Sequence, residues 1–228
     1  MNPFKDLNKF EWGLWIGSLI GIAAAFIVCG RVQISVLCAL LIGATALIFV
    51  SKGHPLGQLL TLAFACFYAY ISLQFRYWGE MITYMGMTAP MALAALISWI
   101  RHPAKKGEPE VKVRSVKPVE FLLLCVLTAA VTALFYFILR ALNTPNLFWS
   151  TVSIATSFSA SALTFLRSPY YALAYAANDV VLIVLWVIAS IEDFAYLPMI
   201  VCFLIFLVND SYGFYNWRKI KKKQSKRL

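Results

Sequence analysis

The chain has 228 residues, of which 61% are hydrophobic and only 13% charged, with 20 Lys and Arg against 10 Asp and Glu for a net charge of +10. A soluble domain carries about 25% charged residues, so this composition excludes a soluble globular protein and leaves no room for a second, soluble domain. The short alternating segments of a membrane β-barrel are absent as well.

Apolar runs of about 20 residues fit helical crossings of a bilayer, and eight are predicted. The first, 11–29, follows Lys5 and Lys9. No small-residue cleavage site follows it, so it reads as a retained helix rather than a signal peptide. It carries Gly13, Gly17 and Gly21, a GxxxG spacing that lets backbones approach, within the chain or between copies. Spans 33–50, 57–75 and 80–100 come next. Segment 101–117 holds Pro103, Gly107 and Pro109 among charges and reads as a mobile linker. Spans 118–141, 149–166, 169–190 and 195–216 complete the set. The basic tail from Arg218 to Lys223 reads as a stop-transfer anchor at anionic membrane lipid. Cys29, Cys38, Cys66, Cys125 and Cys202 form no CxxC and read as small hydrophobes in helix contacts.

Threading eight spans with the N-terminus inside leaves only Arg31, Arg76 and Arg140 of the 20 Lys and Arg outside. This positive-inside bias predicts a multi-pass cell-membrane protein with both termini cytoplasmic. The same distribution explains the net charge without nucleic acid.

The stretch from Gly43 to Val50 matches that from Ser159 to Leu166 in Ala, Ala, Leu and Phe at an offset of 116. A basic residue and a Pro follow each (Lys52 and Pro55; Arg167 and Pro169), then two more spans ending in Tyr, Gly and Trp. The predicted fold is therefore all-α and integral to the membrane. An extra helix (1–32) precedes a three-helix unit (33–100), a linker with a connecting helix (101–141), a second unit (142–217) and the tail (218–228). The connecting helix gives both units one orientation, a SWEET-like parallel 3+1+3 repeat. Transporters of this design hold substrate near the midplane between the halves.

An ionisable group at bilayer depth costs roughly 2.5–3.5 kcal/mol on insertion scales and marks a substrate path or a buried pair. Span 169–190 carries Asn178 and Asp179 at its middle, and Asn209 and Asp210 repeat the dipeptide in the last span. Tyr171, Tyr175 and Asn178 share one helical face, as do Asn209, Tyr212 and Asn216. Tyr supplies a stacking surface and Asn both donor and acceptor, which suits an aromatic ligand with hydroxyls. The carboxylates would take ribose hydroxyls or offset a cationic ring. The alternative is that these groups sit in aromatic belts and helix–helix hydrogen bonds. Ser150, Ser153, Ser157, Ser161 and Thr164 form a polar seam that lines a passage or packs a neighbour. Gln74, Glu80 and Tyr84 cluster at an outer turn as further substrate-site candidates.

No HExxH, GxSxG or Walker A pattern is present, and His54 and His102 sit at loop ends. No cofactor or metal is implied. Asp179 and Asp210 sit at different predicted depths, which argues against a catalytic aspartate pair and against an enzyme.

Three stretches carry a resemblance: Arg76–Pro90, Ser168–Asp179 and Asn209–Gly213. With the one-plus-three-plus-one-plus-three layout, the chain resembles the Pnu family of bacterial vitamin transporters, PnuC type, over roughly 33–217. The resemblance implies facilitated diffusion of nicotinamide riboside, a homotrimer with a midplane site in each protomer, and trapping by a cytoplasmic kinase. Asn178 matches the Asn closing the family's WxxWxxxN pattern, and Asn209 and Tyr212 match the Asn and Tyr of its last helix. Where that pattern has two Trp, this chain has Tyr171 and Ala174. Relatives of the same fold carry thiamine, riboflavin or deoxynucleosides, so a 2'-deoxynucleoside or thiamine is the alternative substrate. A membrane scaffold that transports nothing is the rival of another class.

Overall fold

The computed structural model describes residues 3–29, 34–74, 78–105 and 107–226, with Ala195 in its backbone alone. Arg31 and Arg76, two of the three basic residues predicted outside, lie beyond the described residues. The helices are α1 (Lys9–Val28), α2 (Ile34–Ser51), α3 (Pro55–Gln74), α4 (Trp78–Arg101), α5 (Pro118–Ala141), α6 (Leu147–Phe165), α7 (Tyr170–Glu192) and α8 (Leu197–Ser225). All but α6 are long and apolar enough to cross a membrane. Helix α6 is lowered by its hydroxyls, which it satisfies internally: Thr151 donates to Leu147 O (2.7 Å), Ser159 to Ala155 O (2.8 Å) and Thr164 to Ala160 O (2.9 Å). Most boundaries fall within two residues of the prediction.

Local sequence explains the ends and the one irregular helix. Asn8 and Glu11 form a capping box at α1, and Lys117 N–H donates to Glu120 Oε2 at α5. Helix α4 widens into a π turn over Tyr84–Thr88. Pro90, just beyond, has no N–H to return to the preceding turn, and the extra residue relieves that break.

Six helices form a ring. Helix α2 packs on α3, α3 on α4, α4 on α6, α6 on α7, α7 on α8, and α8 back on α2. Helix α1 lies outside against α2 and α8, and α5 lies chiefly against α6. The outward face of α5 exposes Phe121, Leu122, Leu123, Val126 and Leu127, an apolar surface for lipid.

At one end of the ring the two halves are tied by matching bonds. Trp217 Nε1 of α8 donates to Val50 O of α2 (2.8 Å), and Asn216 Nδ2 donates to Ser51 O (2.9 Å). In the other half, Trp99 Nε1 of α4 donates to Thr164 O of α6 (2.9 Å), and Ser98 Oγ donates to Phe165 O (3.0 Å). The Trp99 and Trp217 rings meet with centroids 5.3 Å apart. Each accepting helix ends in a left-handed residue, Gly53 (φ 65) and Arg167 (φ 57). These corners relate Val50 to Thr164 and Gly53 to Arg167, an offset of 114. The predicted octapeptide match at 116 is thus two residues out of this register. Four coincident small or apolar residues recur readily in any pair of apolar helices.

Segment 101–117 was expected to be mobile, but it is strapped across this end. Val111 N–H donates to Gly53 O (2.9 Å) and Arg114 N–H to Arg167 O (3.1 Å), the two corner residues. Val111 is fully buried beside Trp99, Trp217 and Tyr171. The basic tail continues α8 unbroken to Ser225, and Gln224 donates to Val111 O (3.0 Å) and Glu110 Oε1 (2.9 Å). The strap is held by a small apolar contact, Val111 and the buried Ile220, among charged flanks. The start of the chain lies at the same end, where Phe4 packs on Phe49. Of the five cysteines only Cys202 is buried; Cys38, Cys66 and Cys125 face outward. Of the α1 glycines, Gly21 lies against Ile205 of α8, and Gly13 and Gly17 have no neighbour within 4 Å of an added Cβ.

A buried ion pair docks α1. Glu11, 1% exposed, accepts from Lys52 Nζ (3.0 Å) and from Tyr212 OH (2.7 Å). Nearby, burial lowers the pKa of the His54 imidazole, opposed by the Asp6 carboxylate.

Replacing Trp99 or Trp217 by Phe removes one indole bond, and each variant should lose about 1–2 kcal/mol. Thermal unfolding in detergent should show similar losses for the two. Glu11→Ala leaves Lys52, a quarter exposed, bonded to Asp6 O and takes the acceptor from Tyr212, and should cost about 1–2 kcal/mol by the same measurement, with Tyr212→Phe costing less.

A buried acid pair between two helices

Helices α7 and α8 pack together and bury the side chains of both dipeptides, Asn178 and Asp179 on one helix and Asn209 and Asp210 on the other. Asp179 and Asp210 are both buried on helices that pack against each other. Asp179 Oδ2 is buried with no hydrogen-bond partner. The ion pairs among the described residues are Lys52–Glu11, Lys105–Glu108 and Arg114–Glu120, none of which involves this pair.

The surroundings are hydroxylic and aromatic. Thr156 Oγ1 of α6 donates to Asn178 Oδ1 (2.8 Å), and Ser161 Oγ lies 3.0 Å from Tyr175 OH. Tyr171 is buried edge-on against Trp217, with centroids 4.7 Å apart. An added Cβ on Gly213 would stand 3.0 Å from Tyr171 OH, so this glycine makes room for the phenol. Of the predicted seam, Ser161 reaches α7, and Ser150, Ser153, Ser157 and Thr164 bond backbone carbonyls near their own helix.

The rest of the predicted set is held elsewhere. Asn209 Nδ2 donates to Ser18 Oγ of α1 (2.9 Å) and to Ile205 O (2.8 Å), and its Oδ1 is buried without a partner. Tyr212 donates to Glu11, and Asn216 to Ser51 O. These three lie on the face of α8 turned to α1 and α2, roughly 100–160° around from Asp210. Gln74 is exposed at the end of α3. Glu80 accepts a long bond from Ser72 (3.4 Å). Tyr84 joins an aromatic cluster with Tyr68 (4.6 Å) and Phe64 (5.8 Å). Thr156, Ser18 and Glu11 escaped the sequence reading. The Asn8-x-x-Glu11 spacing with Lys52 alone on the next inner turn was the available signal for Glu11.

A model of the nicotinamide mononucleotide transporter family matches residues 33–219. A nicotinamide riboside transporter PnuC of Neisseria mucosa is 26% identical over 227 residues, 97% of this chain and 86% of that protein. One of Haemophilus influenzae is 25% identical over 183 residues, 79% of this chain and 77% of that protein. The fold is similar to the crystal structure of the vitamin B3 transporter PnuC, with a TM-score of 0.80 at 23% identity over 96% of this chain and 94% of the other. With its buried polar pair inside a ring of apolar helices, the chain belongs to the nicotinamide mononucleotide transporter family and is a multi-pass membrane transporter, not an enzyme.

Proposed function

We propose that the chain takes up nicotinamide riboside, or a closely related nucleoside-like vitamin, by facilitated diffusion with alternating access. The observation that carries this reading is the two buried carboxyls of Asp179 and Asp210, with an unpartnered acceptor at Asp179 Oδ2 and, among the described residues, no cationic side chain in an ion pair with either. A substrate bearing a cationic ring supplies the missing partner. Both relatives named above are nicotinamide riboside transporters, which supports the same substrate here. A phosphorylated nucleotide brings negative charge beside two carboxyls, so the riboside fits better than the mononucleotide. Asn178 and Tyr175 supply hydrogen bonds to hydroxyls, and Tyr171 stands where the family pattern has its first Trp. Asn209, Tyr212, Asn216, Gln74, Glu80 and Tyr84 belong to the outer reach of this proposal. Uptake of thiamine or of a deoxynucleoside is the alternative.

Eight crossings, with α6 inside the ring, and the end bearing the strap in the cytoplasm follow from the basic residues gathered there. The matched Trp bonds support a two-unit repeat of α2–α4 and α6–α8, whose relative motion opens one end at a time. The strapped, indole-tied end is then closed to the cytoplasm. Assembly as a homotrimer in the lipid bilayer, and trapping of the substrate by a cytoplasmic kinase, complete the proposal.

Labelled nicotinamide riboside should enter vesicles bearing the wild type. Uptake should fall about tenfold or more in Asn178→Ala and in Asp179→Ala, each of which strips a buried polar contact. Unchanged uptake in both, at equal expression, removes the site; loss of stability with no wild-type transport at all favours a scaffold. In a cysteine-free background, a Cys at Lys226 should resist an impermeant maleimide in intact cells, and a Cys at Thr144 should react.

A further inference from the structure

The strap bonds both halves of the ring at one end, and the two holds are unequal. On the second half, Arg114 N–H donates to Arg167 O (3.1 Å) and Val113 N–H to Gln224 Oε1 (2.9 Å). Gln224 Nε2 returns bonds to Val111 O (3.0 Å) and Glu110 Oε1 (2.9 Å), and Lys221 Nζ donates to Ser115 Oγ (2.6 Å). On the first half, Val111 N–H donates to Gly53 O (2.9 Å) and Lys112 N–H to His102 O (2.9 Å) at the end of α4. At the α2–α3 corner the hold is thus Val111. Its side chain is fully buried, in one cluster with Trp99, Trp217 and Tyr171. A Cβ added to Gly53 would stand 3.2 Å from Val111 Cγ1. The bonded nitrogens of Val111 and Arg114 are three residues apart and reach at most about 11 Å when extended. The strap therefore bounds how far the Gly53 and Arg167 corners can part while both bonds stand.

We propose that this strap is the latch of the cytoplasmic gate: Glu110–Ser115 travels with α8 and the Arg167 corner, and the ring opens inward only when Val111 leaves Gly53. The proposal rests on the transport reading for its direction. The strap parts on the side where it is held by fewer bonds. Release frees Gly53 O and His102 O, groups at the end of the bundle that water can then satisfy. Gly107, with φ 87 and nothing within 4 Å of an added Cβ, lies between α4 and the latch and lets the loop swing. The burial of Val111 is gained only in the latched state. Its side chain therefore biases the equilibrium between closed and open, as any group that interacts with one state alone must. Trimming Val111 shifts that equilibrium without touching a group assigned to substrate.

Thiol labelling from each face tests the latch. Ala174 lies between Tyr171 and Asn178 on α7, so Ala174→Cys in a cysteine-free background reports access to the ring interior. With Val111→Ala added, labelling by an impermeant maleimide from the cytoplasmic face should rise about fivefold, and labelling from the outer face should fall. A rise from both faces marks general loosening and overturns the proposal, as does no change. A covalent lock tests the same contact. Gly53→Cys with Val111→Cys places two thiols within disulfide reach. Oxidation of this pair should cut uptake of nicotinamide riboside about tenfold or more, and a reductant should restore it. A pair that stays reduced under oxidant, or an oxidised pair that transports freely, overturns the latch. Bridging Ser115→Cys to Lys221→Cys with a short bismaleimide should leave uptake within about twofold, because strap and α8 travel together. Loss of uptake on that bridge overturns the shared motion. Failure of the transport reading looks different: reciprocal labelling in vesicles that take up no riboside, thiamine or thymidine removes that reading and supports the latch.

Discussion

Two indole N–H groups hold the ring shut at one end, and most of the remaining architecture is arranged around them. Helix ends leave carbonyls unsatisfied, and within a membrane such groups must find donors in the protein. The carbonyls of Val50 and Thr164 each accept two bonds, one from the corner residue of their own half and one from a Trp of the other. The corners turn left-handed to make the first bond, and the Trp pair stacks to make the second. Tyr171 then has an aromatic wall to pack on, and Gly213 has a reason to lack a side chain.

Above that aromatic floor the structure tolerates what an apolar bundle ordinarily avoids. The Asn and Asp side chains of α7 and α8 are buried, but their roles divide by helix face. Asp210 lies one turn from Gly213, which meets Tyr171 of α7, whereas Asn209 turns outward to Ser18 and fixes α1. The two residues of one dipeptide thus face different neighbours, because consecutive residues on a helix diverge by about 100°. The first three-helix unit offers a different chemistry, the aromatic group of Phe64, Tyr68 and Tyr84.

Much of this was legible in the sequence. Apolar run length located the helices, since bilayer thickness sets that length. The intramembrane Asn and Asp announced themselves by their cost. Less legible were features that depend on a third dimension. The strap across 101–117 was hidden by its charges, since its order depends on one buried valine and two backbone N–H groups, Val111 and Arg114. The engagement of Tyr212 by Glu11 joins residues far apart in the chain, beyond any local pattern.

The position of α8 in the ring bears on how the protein is made. It leaves the ribosome after the other seven helices described above, and it contacts α1, α2 and α7 and reaches the strap through Gln224. Until it arrives, Glu11 lacks Tyr212, Asp179 lacks the cover of α8, and Val50 lacks its indole donor. Helices made earlier therefore wait in the bilayer with open polar contacts, and native closure is a late event of biogenesis. A chain cut short within α8 keeps most of its hydrophobic spans, yet it exposes the buried acid Asp179 to the membrane interior, a signal by which quality control can tell it from the finished transporter.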